Sequence, residues 1–258
     1  MESELLSMAT LRDFRLSRLV NGIKVIAHGR PSCLGLVRSI VGEKRGIEIG
    51  GPSAIFRRRV NLPIYDNILS LDNVDFSQKT TWAAHTEEYR FSRRRECGRT
   101  YFCEGSDLVD VSTGKYDFVL SSHNLEHLAN PIKGLKEWQR VVKPGGHMVI
   151  VLPHYARTFD HRRAPTTLEH MVDDYERDTG EDDLTHVEEV FQAHRLNDLS
   201  RPDAELRDLL LNNFSHRMMH HHVFDELNSR ALIESAGFKV LSVQMQLPFH
   251  IYIVAQMP

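Results

Sequence analysis

The 258 residues are 41% hydrophobic, enough to bury a full core, and no run of about 18 apolar residues offers a membrane span. A net charge of −3 supplies no general pull toward polyanions, and no nucleic-acid partner is expected. Cys33, Cys97 and Cys103 are odd in number and lack a Cys-x-x-Cys pair, the usage of reduced thiols. With an acidic start at Met1-Glu2-Ser3-Glu4 and no apolar signal core, the expectation is a cytoplasmic protein.

Taken in order, residues 1–44 read as a flank or lid, with Leu11, Phe14, Leu16 and Leu19 on a helix face. Gly46-Ile47-Glu48-Ile49-Gly50-Gly51-Pro52-Ser53 reads as a buried strand, an acid near its end, and a glycine turn that a ligand can approach closely. A carboxylate there suits a cationic amine or a ribose. Ile55–Val60 is a short helical stretch stopped by Pro63. Ile64–Val74 is the second predicted strand, ending in Ser70-Leu71-Asp72-Asn73. Its Asp72 could accept two hydrogen bonds from a ribose diol, with Asp66 as the competing acid near the strand's start.

Tyr101–Cys103 is the third predicted strand and Tyr116–Ser121 the fourth, followed by Ser122-His123-Asn124 at its carboxyl end. Ile132, Leu135, Trp138, Val141 and Val142 recur at helical spacing, and Pro144-Gly145-Gly146 ends that helix. His147–Leu152 is the fifth strand, with Pro153-His154-Tyr155 at its carboxyl end. Residues 155–222 are rich in acids and histidines, yet Leu206, Leu209, Leu210 and Phe214 argue a helical insertion that builds the substrate pocket. His216 and His220 stand four apart without a strict ligand signature, so no metal is expected. Asp225 caps a predicted helix to Ala236, Gly237 stops it, and Phe238–Leu247 and His250–Ala255 close as a strand hairpin.

Residues 46–53 together with 116–153 resemble the class I S-adenosylmethionine-dependent methyltransferases, in the small-molecule branch with an acidic-histidine helix and a proline-glycine-glycine turn. The resemblance covers roughly 45–154 and 223–258. It implies an α/β fold, a Rossmann-like doubly wound seven-stranded sheet with an antiparallel last strand. The 155–222 insertion precedes the final helix-strand-strand unit. It also implies S-adenosylmethionine as cofactor, with Glu48, Gly50, Gly51, Pro52, Ser53, Asp72, Asn73, Ser106, Asp107 and Ser122 as its contacts. His154 and His123 become the candidate bases, since an unperturbed imidazole titrates near 6.5. His127, Tyr155, Arg162 and Arg163 become the acceptor contacts, the arginines as clamps for a phosphate or carboxylate.

The expected reaction is methylation at oxygen of a small polar acceptor, such as a sugar or sugar-phosphate precursor of a surface glycan, and a homodimer is compatible with it. The family's glycine-rich pattern is altered here, with Pro52 and Ala54 at glycine positions. A nucleotide-dependent oxidoreductase and a non-catalytic methyltransferase-like subunit are therefore the rival readings.

Overall fold

The computed structural model describes residues 29–80, 84, 86–195 and 201–258; the helix face expected at Leu11–Leu19 lies outside them. Ile47 and Ile49 are almost wholly buried because their strand, β1 (Arg45–Ile49), lies inside the sheet. It pairs in parallel with β2 (Ser70–Asp75) on one side and β5 (Tyr116–Ser122) on the other. The remaining strands are β3 (Glu88–Tyr89), β4 (Gly98–Phe102), β6 (Val142–Pro153), β7 (Lys239–Gln246) and β8 (His250–Gln256). Their order across the eight-stranded sheet is β3-β4-β2-β1-β5-β6-β8-β7. β8 runs antiparallel to both β6 and β7, so the expected closing hairpin is present. The two-residue β3, antiparallel to β4, adds an edge strand beyond the expected seven.

Each face of the sheet buries its own core. On one face lie α2 (Pro131–Val141) and α7 (Glu226–Ser235), packing Leu135, Trp138 and Leu232 against Ile49 and Ile150. On the other, α1 (Leu34–Val41) packs Val37, Ile40 and Val41 with Phe118 and Tyr252. That second face also takes Phe56, Leu62, Ile64 and Ile68 from the β1–β2 connection. Only the short 3-10 turns Ala54–Phe56 and Tyr65–Asn67 stand where the family's first crossover helix was expected. Ile64 and Ile68 are therefore buried from an irregular connection, and β2 begins at Ser70 rather than Ile64. Pro144-Gly145-Gly146 falls inside β6, where the pairing jumps from Tyr116 opposite Val142 to Phe118 opposite His147. The turn is thus a bulge in an otherwise continuous strand.

Residues 155–222 hold α3 (Leu168–Glu176), α4 (Val187–Arg195), α5 (Asp203–Leu211) and the single turn α6 (Asn213–His216). Met171 of α3 joins the main core, whereas Val187, Val190, Phe191, Leu206, Leu210 and Met219 form a small core of their own. Among the described residues, no helix is long and apolar enough to cross a membrane. The N-terminus of α7 closes with a full capping box: Asp225 accepts from the Leu227 and Asn228 amides, and the Asn228 side chain accepts from the Asp225 amide. Asp225→Ala is expected to cost about 1 kcal/mol, readable as a lower denaturation midpoint with an unchanged m-value.

Candidate functional site

Four parallel strands deliver their carboxyl ends to one cavity of about 530 Å³. It is walled by Ile49-Gly50-Gly51-Pro52 after β1, Val74-Asp75-Phe76 at the end of β2, Glu104-Gly105 after β4, and His123-Asn124 after β5. This is the topological switch point, where β1 is flanked by β2 and β5, and where open α/β sheets bind ligands. Gly50 sits at φ +75°, and a Cβ there would lie 2.8 Å from Asn124 Nδ2. The turn requires glycine at that point both for its backbone and for this close approach.

Hydrogen bonds beneath the loop hold it in place. The Gly51 amide donates to Asn73 Oδ1 at 2.9 Å. The Glu48 carboxylate, fully buried, accepts from the Ser53 amide at 3.1 Å, the Ser53 hydroxyl at 2.6 Å, the Tyr65 hydroxyl at 2.8 Å, and the Tyr89 hydroxyl. Burial pushes the Glu48 pKa up, against the lowering effect of those hydrogen bonds. Glu48, Ser53 and Asn73 thus brace the loop from behind and do not line the cavity, whereas Gly50, Gly51 and Pro52 do.

The other expected residues divide in the same way. Asp72 points away from the carboxyl edge: it accepts from Tyr116 Oη at 2.6 Å, Lys115 Nζ at 3.1 Å and the Arg99 amide at 2.9 Å. Because β2 runs on to residue 75, the acid at the strand's end and in the cavity wall is Asp75. Ser106, Asp107 and Ser122 stand beside lining residues without lining the cavity themselves; Glu104, Gly105 and His123 do. His154 is also outside it. Its Nδ1 accepts from the Ala156 amide and its Nε2 meets Glu226 Oε2 at 3.0 Å, which ties the end of β6 to α7. Tyr155 stacks on His154 and stays with it.

Arg162 is exposed and outside the cavity wall. Arg163 is buried, donating to Asp160 at 2.8 Å, to the His220 carbonyl at 2.9 Å and to Glu189 at 2.7 Å. It is a strut inside the insertion, with no reach for an acceptor's phosphate. His123 and His127 are the two expected histidines that do line the cavity. His123 lies 3.1 Å from His250 Nδ1; burial, with the charges of His250 and His220, depresses its pKa. Burial likewise depresses His127, whose Nδ1 lies 3.1 Å from the Met219 carbonyl oxygen.

Asp75, Glu104, Glu126, Arg217 and His220, none of them among the expected site residues, also line the wall. Arg217 reaches in from the insertion, donating both terminal nitrogens to Glu104 at 2.9 and 2.6 Å. His220 is fixed by Asp160, with Nδ1 and Oδ2 2.7 Å apart. Burial alone would raise Asp160, but His220 and Arg163 outweigh it and hold the carboxyl below its usual range. Glu126 is 1% exposed, and neither carboxylate oxygen has a hydrogen-bond partner among the described residues. Among its ionisable neighbours is His123, whose Nδ1 is 3.6 Å from Oε1. Burial raises its pKa from 4.5 to about 7. The only sequence trace of this group was its place in the run His123-Asn124-Leu125-Glu126-His127, directly after the fourth strand.

Residues 42–243 match the family described as "Methyltransferase domain". The chain belongs to that family. It is a class I S-adenosylmethionine-dependent methyltransferase. The chain is similar to solved structures of other proteins. A Bacillus halodurans protein described as a candidate methyltransferase is 11% identical over 87% of this chain and 97% of its own, with a TM-score of 0.50. A S-adenosylmethionine-dependent methyltransferase from Aquifex aeolicus is also 11% identical, covering 91% and 93% of the two chains with a TM-score of 0.47. The 1,6-didemethyltoxoflavin-N1-methyltransferase of Burkholderia thailandensis, solved with S-adenosylhomocysteine, is 14% identical over 97% and 88%, with a TM-score of 0.47. No protein with a curated description matches the sequence. The rival reading as an oxidoreductase is set aside by the family and by the closing antiparallel hairpin of this methyltransferase.

Proposed function

We propose that this methyltransferase methylates an oxygen of a small polar acceptor, with Glu126 receiving the acceptor's proton. The observation that carries the reading is Glu126 itself: a buried carboxylate in the cavity wall with neither oxygen hydrogen-bonded to another of the described residues. A carboxylate near pKa 7 suits general-base work at neutral pH better than an imidazole depressed by burial, so Glu126 takes the base role first expected of His154 and His123. His123, His127 and His220 border the same end of the cavity and suit the remaining hydroxyls of a polyhydroxylated acceptor such as a sugar.

The rest of the wall fits the cofactor. Gly50 and Gly51 form a side-chain-free cradle at the end of β1, and Asp75 supplies a carboxylate for a ribose diol at the end of β2. Glu48 and Asn73 support that cradle from below rather than touching the ligand. Pro52 removes one amide donor from the loop, which shifts hydrogen bonding onto the side chains around it. S-adenosylmethionine supplies an already activated, electrophilic methyl group when bound. The protein's share is then to place the acceptor oxygen in line, exclude water and hold the departing proton. The cavity volume falls within the usual range of about 300–1,000 Å³ for small-ligand sites.

The test is transfer from methyl-labelled S-adenosylmethionine to paired sets of small polyols and amines, with the labelled products identified by mass spectrometry. Label in ether or ester linkage supports the reading. Label confined to nitrogen would remove both the oxygen acceptor and the base role of Glu126.

A further inference from the structure

His220, His221 and His222 are consecutive but go to three places. His220 lines the cavity, His221 meets Asn213 at 3.2 Å, and His222 turns into the body of the insertion. There it joins His170 and Asp174, which stand four apart on α3, and His186 just before α4. His170 Nε2 lies 3.2 Å from His186 Nε2 and 3.4 Å from Asp174 Oδ2, and His222 Nε2 is 3.8 Å from the same oxygen. Metal bonds of about 2.0–2.1 Å at the tetrahedral angle set neighbouring donor atoms about 3.3 Å apart. The first two separations match that spacing and the third is slightly wide. The geometry points to a zinc site, separate from the methyl-transfer cavity, whose core is His170, Asp174 and His222, with donor atoms all within 4.8 Å of one another; His186, beside His170, turns in to close it as the fourth ligand.

The hydrogen bonding around these groups makes the same case. Asp174 Oδ2 is buried without a hydrogen bond among the described residues, and two imidazole nitrogens facing each other can share only one proton. A divalent cation satisfies all of these lone pairs together. His186 Nδ1 is 2.6 Å from Glu189 Oε1, and Glu189 also accepts from Arg163 at 2.7 Å. A carboxylate on the far nitrogen fixes the tautomer that presents Nε2 as a bare donor, the usual support of a metal-bound histidine. Asp174 Oδ1 accepts from Thr179 Oγ1 at 3.1 Å, leaving Oδ2 turned toward the histidines. His222 Nε2 also lies 3.3 Å from the Ala129 carbonyl, a hydrogen bond in which Nε2–H donates and which metal binding would replace, so it is the loosest of the four.

Three imidazoles and one carboxylate suit zinc, whereas magnesium and calcium prefer oxygen donors. With four protein donors no position stays open, so the ion is structural. It would pin α3, the start of α4 and the 217–222 segment that carries Arg217 and His220 into the cavity wall.

The test uses the full chain purified without a polyhistidine tag, stripped with a chelator and titrated with Zn²⁺ against a chromophoric competitor. One equivalent is expected to bind. Co²⁺ in its place should show the strong visible absorption of a tetrahedral ion. His170→Ala and Asp174→Asn should weaken zinc at least about 100-fold, and Glu189→Gln by about 10–100-fold with the stoichiometry kept. Glu126→Gln should leave zinc affinity unchanged, because Glu126 belongs to a different cluster, with His127 and His220. The absence of a bound equivalent overturns the proposal. So does the faint cobalt spectrum of an octahedral site, or a site lost in Glu126→Gln but kept in Asp174→Asn. Should the ligand variants fail to fold, the wild-type cobalt spectrum and Glu189→Gln decide.

Discussion

Glu126→Gln is expected to lower kcat by about 10²–10⁴-fold, the range of a positioned general base, while S-adenosylmethionine affinity measured by calorimetry stays within about twofold. Glutamine keeps the size and the carbonyl acceptor of the side chain but cannot take a proton. The wild-type rate should follow the ionised carboxylate. Since burial lifts Glu126 to about 7, kcat should climb as pH rises through that value and then level off. The same group leaves a mark on stability with the opposite trend. Between about 4.5 and 7 the folded protein keeps a proton that the unfolded chain has released. Stability should therefore fall as pH rises through that window, by up to about 3 kcal/mol at 1.36 kcal/mol per pKa unit, and level off above it. Glu126→Gln should abolish this slope and be the more stable protein at pH 8 in urea denaturation. A variant with normal kcat, or a wild-type rate flat across pH 6–8, would take Glu126 out of the chemistry.

The sheet was readable in the sequence because its signals are local. Ile47 and Ile49 mark a strand buried on both faces, α2 announces itself through Ile132, Leu135 and Trp138, and Asp225 with Gly237 brackets α7. The site was harder because it depends on where each strand ends and on what lies beside it. Ile64 and Ile68 resemble strand residues but are buried from a connection, which shifted the expected end of β2 and put Asp72 in the role proposed for Asp75. His154 does follow the fifth strand, but β6 lies beyond β5 from the switch point, and Glu226 of α7 claims the side chain. Chain order cannot show that Arg163 is buried beside Asp160 or that Arg217 meets Glu104 from 113 residues away. The cavity wall is assembled from such long-range pairs. The sequence shows their residue types but not their pairing.

Asp75→Asn is expected to weaken both S-adenosylmethionine and its demethylated product by roughly 1.5–3 kcal/mol, or about 10–100-fold in Kd by calorimetry. Both ligands carry the same ribose, and the loss should be equal because the diol is what the carboxylate would hold. Asp75 is at the carboxyl end of β2, next to the strand that ends in Gly50 and Gly51, and it is only 9% exposed. A ligand hydrogen bond there would be largely shielded from water, and losing it should be felt in full. Asp72→Asn provides the contrast. Three residues earlier, Asp72 is engaged by Tyr116, Lys115 and the Arg99 amide, outside the cavity wall. It should lower the unfolding midpoint while leaving both affinities unchanged. The reverse outcome, binding lost with Asp72→Asn and kept with Asp75→Asn, would mean that the ribose does not sit at the end of β2. A loss with Asp75→Asn confined to the methylated ligand would instead place the carboxylate near the sulfonium, where it would feel the positive charge that the product lacks.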